Sequence, residues 1–212
     1  MRLHTFTVAL GLAVALLLFA QRRQAPQADA EFRTVMDLTA PAGTPQTHLV
    51  TRIQAPATYL RGTWTVDQIP AARLVGTLVV LDIRDRARRN PGYEVSPYDI
   101  GNWERIHGPV PPGSIVVART ADARQQDSFP TFSADSIQFL VEARNVIAVG
   151  TDSPAISRNP DANAYAAAHG LYELTNIAGL ATAPEAGGAA IVAPPRREGV
   201  SEAETRILAL VR

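Results

Sequence analysis

The sequence predicts a single α/β domain with a β-rich core and flanking helices, and three observations support this fold class. The chain has 212 residues and is 46% hydrophobic, which is enough to bury one sizeable core. Val- and Leu-rich runs of strand length alternate with segments that carry helix-start signals. Cysteine is absent, so neither disulfides nor thiolate ligands are available and hydrophobic burial must stabilise the domain.

The N-terminal residues have the composition of an export signal. Arg2 gives a positive start, residues 5–20 are apolar or small, and Ala28-Asp29-Ala30 fits a small-x-small cleavage pattern. Leu18-Phe19-Ala20 is a nearer but weaker cleavage pattern, and Arg22-Arg23 after the apolar run leaves an uncleaved anchor as the alternative. We expect residues 1–30 to be the signal peptide or anchor, 31–36 a linker, and 37–212 one domain in the periplasm or outside the cell.

The first half of the domain contains one predicted strand and one predicted helix after its opening segment, Asp37-Leu38-Thr39. Leu74 to Ile83 is rich in Val and Leu and predicts a buried strand. Ser96 is a typical N-cap, Pro97 suits the first helical position and Asp99 the first turn. The sequence therefore predicts a helix from Pro97 to about Ile106 that ends near Gly108.

The second half contains further strands around a second helix. Ser133 is the predicted N-cap of this helix, which carries Ile137, Leu140 and Val141 on one side. The predicted strands cover 114–118, 146–149, 191–193 and 207–211.

The charge balance argues against a nucleic-acid partner. The 20 basic residues are all Arg and are balanced by 20 acidic residues. The aromatic residues make up 6% of the chain and are scattered, so no base-stacking surface is visible. We expect no membrane contact beyond the N-terminal segment, and a small molecule as the ligand.

One segment resembles the signature of a known enzyme family. The run from His48 to Thr58, HLVTRIQAPAT, followed by TVDQIP at Thr65 to Pro70, is similar to the H-x-G-T-H-x-D-x-P-x-H motif and TVDQIP-like segment of the bacterial cyclase family, which includes the kynurenine formamidases. Further ordered similarities cover most of the domain, at 79–82, 112–116, 129–133, 150–156 and 170–177. The resemblance implies the family's α/β fold, a homo-oligomer, and a divalent metal such as zinc or manganese that activates water.

The residues that would hold this metal are mostly replaced. His48 matches the first His, but Arg52, Gln54 and Thr58 stand where the family has His, Asp and His. A guanidinium cannot coordinate a metal, and zinc sites generally need three protein ligands. We therefore expect no metal cofactor, with zinc or manganese only if other ligands rebuild the site.

The downstream ligands of the family are also in doubt. A gap-free alignment on residues 174–177 places the family's Glu on Tyr172, whereas a slip of one residue returns it to Glu173. The family's preceding His has no counterpart, because residues 160–163 occupy its expected place.

Three functions remain open from the sequence. The first is an exported cyclase-like protein that has lost metal-dependent hydrolysis and binds a small carboxylate through Arg52, with Gln54 and Thr58 beside it. The second is a divergent hydrolase of amides or esters in which His48, Glu173 and Gln54 hold a weaker metal and His48 and Glu173 are catalytic. The third is a structural module, in which Arg52 pairs with an internal acid such as Asp67 or Glu173.

Overall fold

The computed structural model describes residues 32–40, 50–120 and 128–212. Within these ranges the strands are β1 (Thr34–Asp37), β2 (Arg52–Gln54), β3 (Val75–Asp82), β4 (Glu94–Val95), β5 (Ile115–Arg119), β6 (Thr131–Phe132), β7 (Ala148–Thr151), β8 (Tyr172–Thr175), β9 (Gly188–Ala193), β10 (Glu202–Glu204) and β11 (Arg206–Val211). The helices are α1 (Arg84–Arg89), α2 (Pro97–His107), α3 (Ala134–Glu142) and α4 (Pro160–Ala168). Short 3-10 turns occur at Pro56–Thr58, Val66–Gln68, Ala71–Arg73 and Leu180–Thr182.

Nine of these strands form one mixed sheet in the order β1-β11-β9-β3-β5-β7-β8-β2-β10. The central strands β3, β5, β7 and β8 are parallel, and the strands on both sides of them are antiparallel. Strands β4 and β6 form a separate parallel pair. The parallel centre is connected through α-helices, as expected for α/β proteins.

Apolar side chains fill both faces of the sheet. Alternate residues of β3 face opposite ways, so Leu78 and Val80 lie in one core cluster and Val79 and Leu81 in another. The second cluster includes residues of α2, α3 and α4 and lies between sheet and helices. The first combines residues from strands near both ends of the strand order, because the sheet curls around it.

The predicted fold class is confirmed, and so are the elements with strong local signals. Strands β3, β5, β7, β9 and β11 overlap the five predicted runs within a few residues. Helix α2 begins at Pro97, and the Ser96 and Asp99 side chains form a reciprocal capping box. Helix α3 begins after Ser133, whose hydroxyl accepts a hydrogen bond from the Ser136 N–H.

Helices α1 and α4 were missed for different reasons. The α1 sequence RDRARR contains one buried residue, Ala87, so it lacks the apolar repeat that identifies a helix. The α4 sequence PDANAYAAA buries mainly alanines and therefore lacks the large apolar side chains whose spacing marks a helix face. Asn159 caps α4 and Pro160 occupies its first position, so a start signal was present there.

The beginning of the domain differs slightly from expectation. Strand β1 starts at Thr34, inside the segment 31–36 expected to be a linker, because it pairs with β11 from Thr34↔Val211 to Asp37↔Leu208. The export signal and both cleavage patterns lie outside the described residues and stay predictions. None of the described helices is long and apolar enough to cross a membrane.

Candidate functional site

Strand β2 places two of the altered motif residues, Arg52 and Gln54, on the helix-facing side of the sheet. It lies between β8 and β10, and Gln54 is directly opposite Glu173 on one side and Glu202 on the other. Side chains directly opposite each other in neighbouring strands share a face. Gln54, Glu173 and Glu202 therefore lie together, while Ile53 belongs to the core on the opposite face.

The centre of this group is the buried carboxyl of Glu173, which is 1% exposed. The Tyr59 hydroxyl lies 2.8 Å from Glu173 Oε2 and 3.1 Å from Gln54 Oε1. A phenol has one proton and can donate to only one of these oxygens at a time. Glu173 Oε1 is buried without a hydrogen-bond partner among the described residues. One oxygen of this buried carboxyl therefore makes no hydrogen bond within the described part of the chain.

Burial makes Glu173 hard to ionise. Removal from water raises its pKa to about 7, and the charge of Glu202 acts in the same direction, whereas the hydrogen bond from Tyr59 opposes the rise. Burial, followed by the charge of Glu173, also raises the pKa of Tyr59. The Tyr59–Glu173 pair therefore holds a proton near neutral pH where an ordinary glutamate would be ionised.

Arg52 and Gln54 both contact the next acid, Glu202. Arg52 Nη2 lies 3.4 Å from Glu202 Oε2, and Gln54 Nε2 lies 3.4 Å from Glu202 Oε1. The side chains of Arg52 and Glu202 are 37% and 35% exposed, so this ion pair is partly solvated. Arg52 does pair with an acid, but that acid is neither of the two considered from sequence: Asp67 accepts hydrogen bonds from Thr65 and Gly199 instead.

Thr58 supports the backbone beside this group. Its hydroxyl donates to the Ser201 carbonyl at 2.9 Å and so fastens the turn Pro56–Thr58 to the residue before β10. Helix α4 packs against the same turn. The Thr58 hydroxyl hydrogen is therefore already used within the protein. The ligand-binding role expected for Thr58 stays a prediction.

The two candidates for the family's Glu are separated by the sheet. Tyr172 is fully buried in the core and donates its hydroxyl hydrogen to the Arg73 carbonyl at 2.8 Å. Glu173 is on the other face, beside Gln54 and Tyr59. The geometry therefore favours the alignment with the one-residue slip, although a catalytic role of Glu173 stays a prediction.

The histidines do not complete a site within the described residues. His48 lies outside the described ranges, so its expected role is untested. His107 Nε2 lies 3.3 Å from a Glu185 oxygen and His169 Nδ1 lies 2.8 Å from the Tyr165 carbonyl. The region expected for the family's downstream His, at residues 160–163, forms the first turn of α4 and contains no histidine.

The donors that are described do not fit a zinc or manganese site. Within the described ranges, no group of three or more His, Cys, Asp or Glu side chains could hold a metal ion. Glu173 is engaged with Tyr59, Gln54 is a neutral amide, and the permanent charge of Arg52 would repel a divalent cation.

Tyr59 and Glu202 are the site residues that sequence reasoning missed. Tyr59 directly follows the last position of the motif, and that adjacency was a usable signal. Glu202 comes from a three-residue strand that becomes visible only through its pairing with β2.

The parallel central strands, the antiparallel strands on both sides of them and the connecting helices define an α/β protein with a curled mixed sheet. Residues 19–158 match the Cyclase family model, described as "Putative cyclase". Because this match covers more than half of the chain, the protein belongs to the Cyclase family. A comparison with curated proteins found no match.

Solved structures support the same fold. Isatin hydrolase A from Labrenzia aggregata, bound to benzyl benzoate, is 25% identical with a TM-score of 0.69, covering 84% of this chain and 82% of that one. Isatin hydrolase A from Ralstonia solanacearum is 22% identical with a TM-score of 0.69, over 84% and 81% of the two chains. A potential metal-dependent hydrolase with cyclase activity is 21% identical with a TM-score of 0.66, over 84% and 98%.

Proposed function

We propose that this chain is an exported Cyclase-family protein that binds a small carboxylate on the face of β8, β2 and β10 and has lost metal-dependent hydrolysis. The observation that carries the proposal is the position of Arg52. Its guanidinium stands at a metal-ligand position of the motif that the sequence resembles, and it lies on the face shared by Gln54 and Glu202.

The geometry of Arg52 leaves room for an anionic ligand. A guanidinium has five N–H donors in a planar fork that matches a carboxylate. Arg52 uses a single contact, at 3.4 Å to Glu202, within the described part of the chain. That pair is long and partly exposed, so a ligand carboxylate can compete for the guanidinium at low cost.

Glu173 provides a second recognition group. Its Oε1 is buried and unpartnered within the described ranges, and an unsatisfied buried polar atom is costly. With its pKa near 7, the protonated carboxyl can donate a hydrogen bond to a ligand carboxylate. Binding is therefore expected to weaken as pH rises above about 7, because the ionised Glu173 repels an anion.

The test is a calorimetric titration with benzoate, a small aromatic carboxylate. The variant Arg52→Ala should lose binding, and Arg52→Lys should retain part of it because the charge remains without the fork. Arg61→Ala is the matched control, since Arg61 is exposed and has no partner among the described residues. Unchanged benzoate affinity in Arg52→Ala would rule out Arg52 as the binding group.

A divergent metal-dependent hydrolase is the second candidate, and the position of Glu173 opposite Gln54 favours it. Elemental analysis after equilibration with zinc and manganese distinguishes the hydrolase from the carboxylate-binding protein. The first proposal predicts no bound metal. About one metal per chain, together with hydrolysis of isatin or N-formylkynurenine, would overturn it and support the hydrolase.

A reconstructed motif gives a positive control for that measurement. The triple variant Arg52→His, Gln54→Asp and Thr58→His restores the family's three ligands and should gain metal. Adding Glu173→Gln to this background should weaken the gain if Glu173 faces the restored site.

A further inference from the structure

A second polar region lies on the helix layer, away from Glu173. A groove of about 750 Å³ is bounded by the end of β3, by α1 and by α2. It shares no lining residue with the face of β8, β2 and β10. Its volume is within the range of about 300–1,000 Å³ typical of small-molecule sites. The groove is therefore large enough for a ligand and separate from the site proposed above.

Five arginines line this groove, and three of them are neutralised by neighbouring acids. Arg84 pairs with Asp82 at 2.6 Å, Arg86 pairs with Asp99, and Arg88 pairs with Asp85. The other two are Arg89 and Arg105.

Arg89 and Arg105 differ from these three, because neither has an acidic partner within the described ranges. Both are exposed, and within the described residues neither side chain makes a hydrogen bond or an ion pair. Asp82 cannot serve them, because it also binds the buried Arg119 at 2.9 Å. Burial opposes ionisation of Asp82, but the hydrogen bonds from Arg84 and Arg119 outweigh it and lower its pKa to about 2. Asp82 is therefore ionised and already engaged.

An apolar surface lies beside these two cations. Tyr98 and Ile106 line the groove and are 69% and 71% exposed, the largest values among the exposed large hydrophobic side chains of the described residues. They are two helical turns apart on α2, with Asn102 between them and Arg105 next to Ile106, so one helix face presents all four residues. The Arg86 guanidinium lies over the Tyr98 ring, 5.8 Å from its centroid, in the range of a cation–π contact.

We propose that this groove binds an organic anion with a flat apolar body, whose carboxylate or phosphate contacts Arg89 and Arg105 while its body packs on Tyr98 and Ile106. The pairing of free guanidinium groups with an exposed aromatic and aliphatic surface selects an amphipathic anion over a bare one. This inference does not depend on the function proposed for Arg52.

The test is calorimetric titration of the full chain with three probes. 1-Naphthoate carries both the anion and the flat body, inorganic phosphate only the anion, and 1-naphthalenemethanol only the body. The inference predicts that 1-naphthoate binds the most tightly. The double variant Arg89→Ala/Arg105→Ala should weaken it by about tenfold, the sum of two partly exposed charge contacts, and Tyr98→Ala should weaken it independently.

Matched variants separate this groove from the other site. The double variant Arg61→Ala/Arg197→Ala removes the same charge from exposed positions outside the groove and should leave 1-naphthoate binding unchanged. Arg52→Ala should also leave it unchanged, so failure of one proposal does not imply failure of the other. Equal loss in the Arg61/Arg197 control, binding that follows Arg52, or no binding of 1-naphthoate at millimolar concentration would each overturn the inference.

Discussion

The two faces of the segment 51–55 meet different requirements. The core-facing residues Thr51, Ile53 and Ala55 are 1%, 0% and 0% exposed, while Arg52 and Gln54 on the other face are partly exposed and contact Glu202. The core-facing side chains stabilise the strand by burial, and the side chains on the other face are the polar groups of the candidate site. Residues on the outer face of a strand can therefore be replaced without loss of its position in the sheet, because alternate side chains contact different neighbours.

The largest expected effect is on the core side. Ile53→Ala removes a fully buried side chain from the cluster around β2 and should lower the free energy of unfolding by about 2–5 kcal/mol. Urea unfolding followed by circular dichroism measures this. A loss below 1 kcal/mol would mean that β2 is not held by its core face, and the contrast between the two faces would fail.

Glu173 is an exception to the contrast between a buried and a polar face, because it lies on the face of Gln54 and is nevertheless buried. Its folded pKa of about 7 exceeds the ordinary 4.5, so the folded state binds the proton more tightly. The stability from this group is complete below pH 4.5 and is lost as pH rises towards 7. Glu173→Gln is neutral throughout and should gain up to about 3 kcal/mol relative to wild type between pH 4.5 and pH 8.

The check is the free energy of unfolding of the wild type and of Glu173→Gln, measured at pH 4.5 and at pH 8. Other titrating groups are shared and cancel in the difference between the proteins. A difference that does not change with pH would show that Glu173 has an ordinary pKa.

Thr51 tests hydrogen bonding on the core side. Its hydroxyl accepts from the Ala40 N–H and donates to the Asn176 carbonyl, both at 2.8 Å. Thr51→Val keeps the shape but leaves both backbone groups unpaired, and should cost about 2 kcal/mol in unfolding free energy. Thr63→Val is a control, because the hydroxyl of Thr63 bonds one carbonyl at an exposed position.

Arg52→Ala should give the smallest change in stability, below about 1 kcal/mol, because its ion pair with Glu202 is partly solvated. High salt should reduce the difference further. A loss comparable with that of Ile53→Ala would show that Arg52 has a structural role and would favour the third function considered from sequence.

The sequence predicted those parts of the fold that depend on local signals. Ser96 and Ser133 cap helices through their own side chains, and β3 is a continuous apolar run, so each could be recognised alone. Strand β10 has three residues with no such signal, and it exists because β2 provides its partner. The candidate site divides in the same way. Arg52 is named by the motif, and Glu173 by a downstream similarity that leaves Tyr172 as the alternative, whereas Glu202 depends on pairing between residues about 150 positions apart.

The strand order also has a consequence for the time at which the site forms. Strand β2 lies between β8 and β10, and β1 pairs with β11, so early parts of the chain depend on its last segment. A nascent chain on the ribosome cannot complete this sheet until residues beyond 200 have emerged. Until then one edge of β1 and one edge of β2 lack their partner strands, and in this interval a chaperone can bind them and aggregation competes with folding.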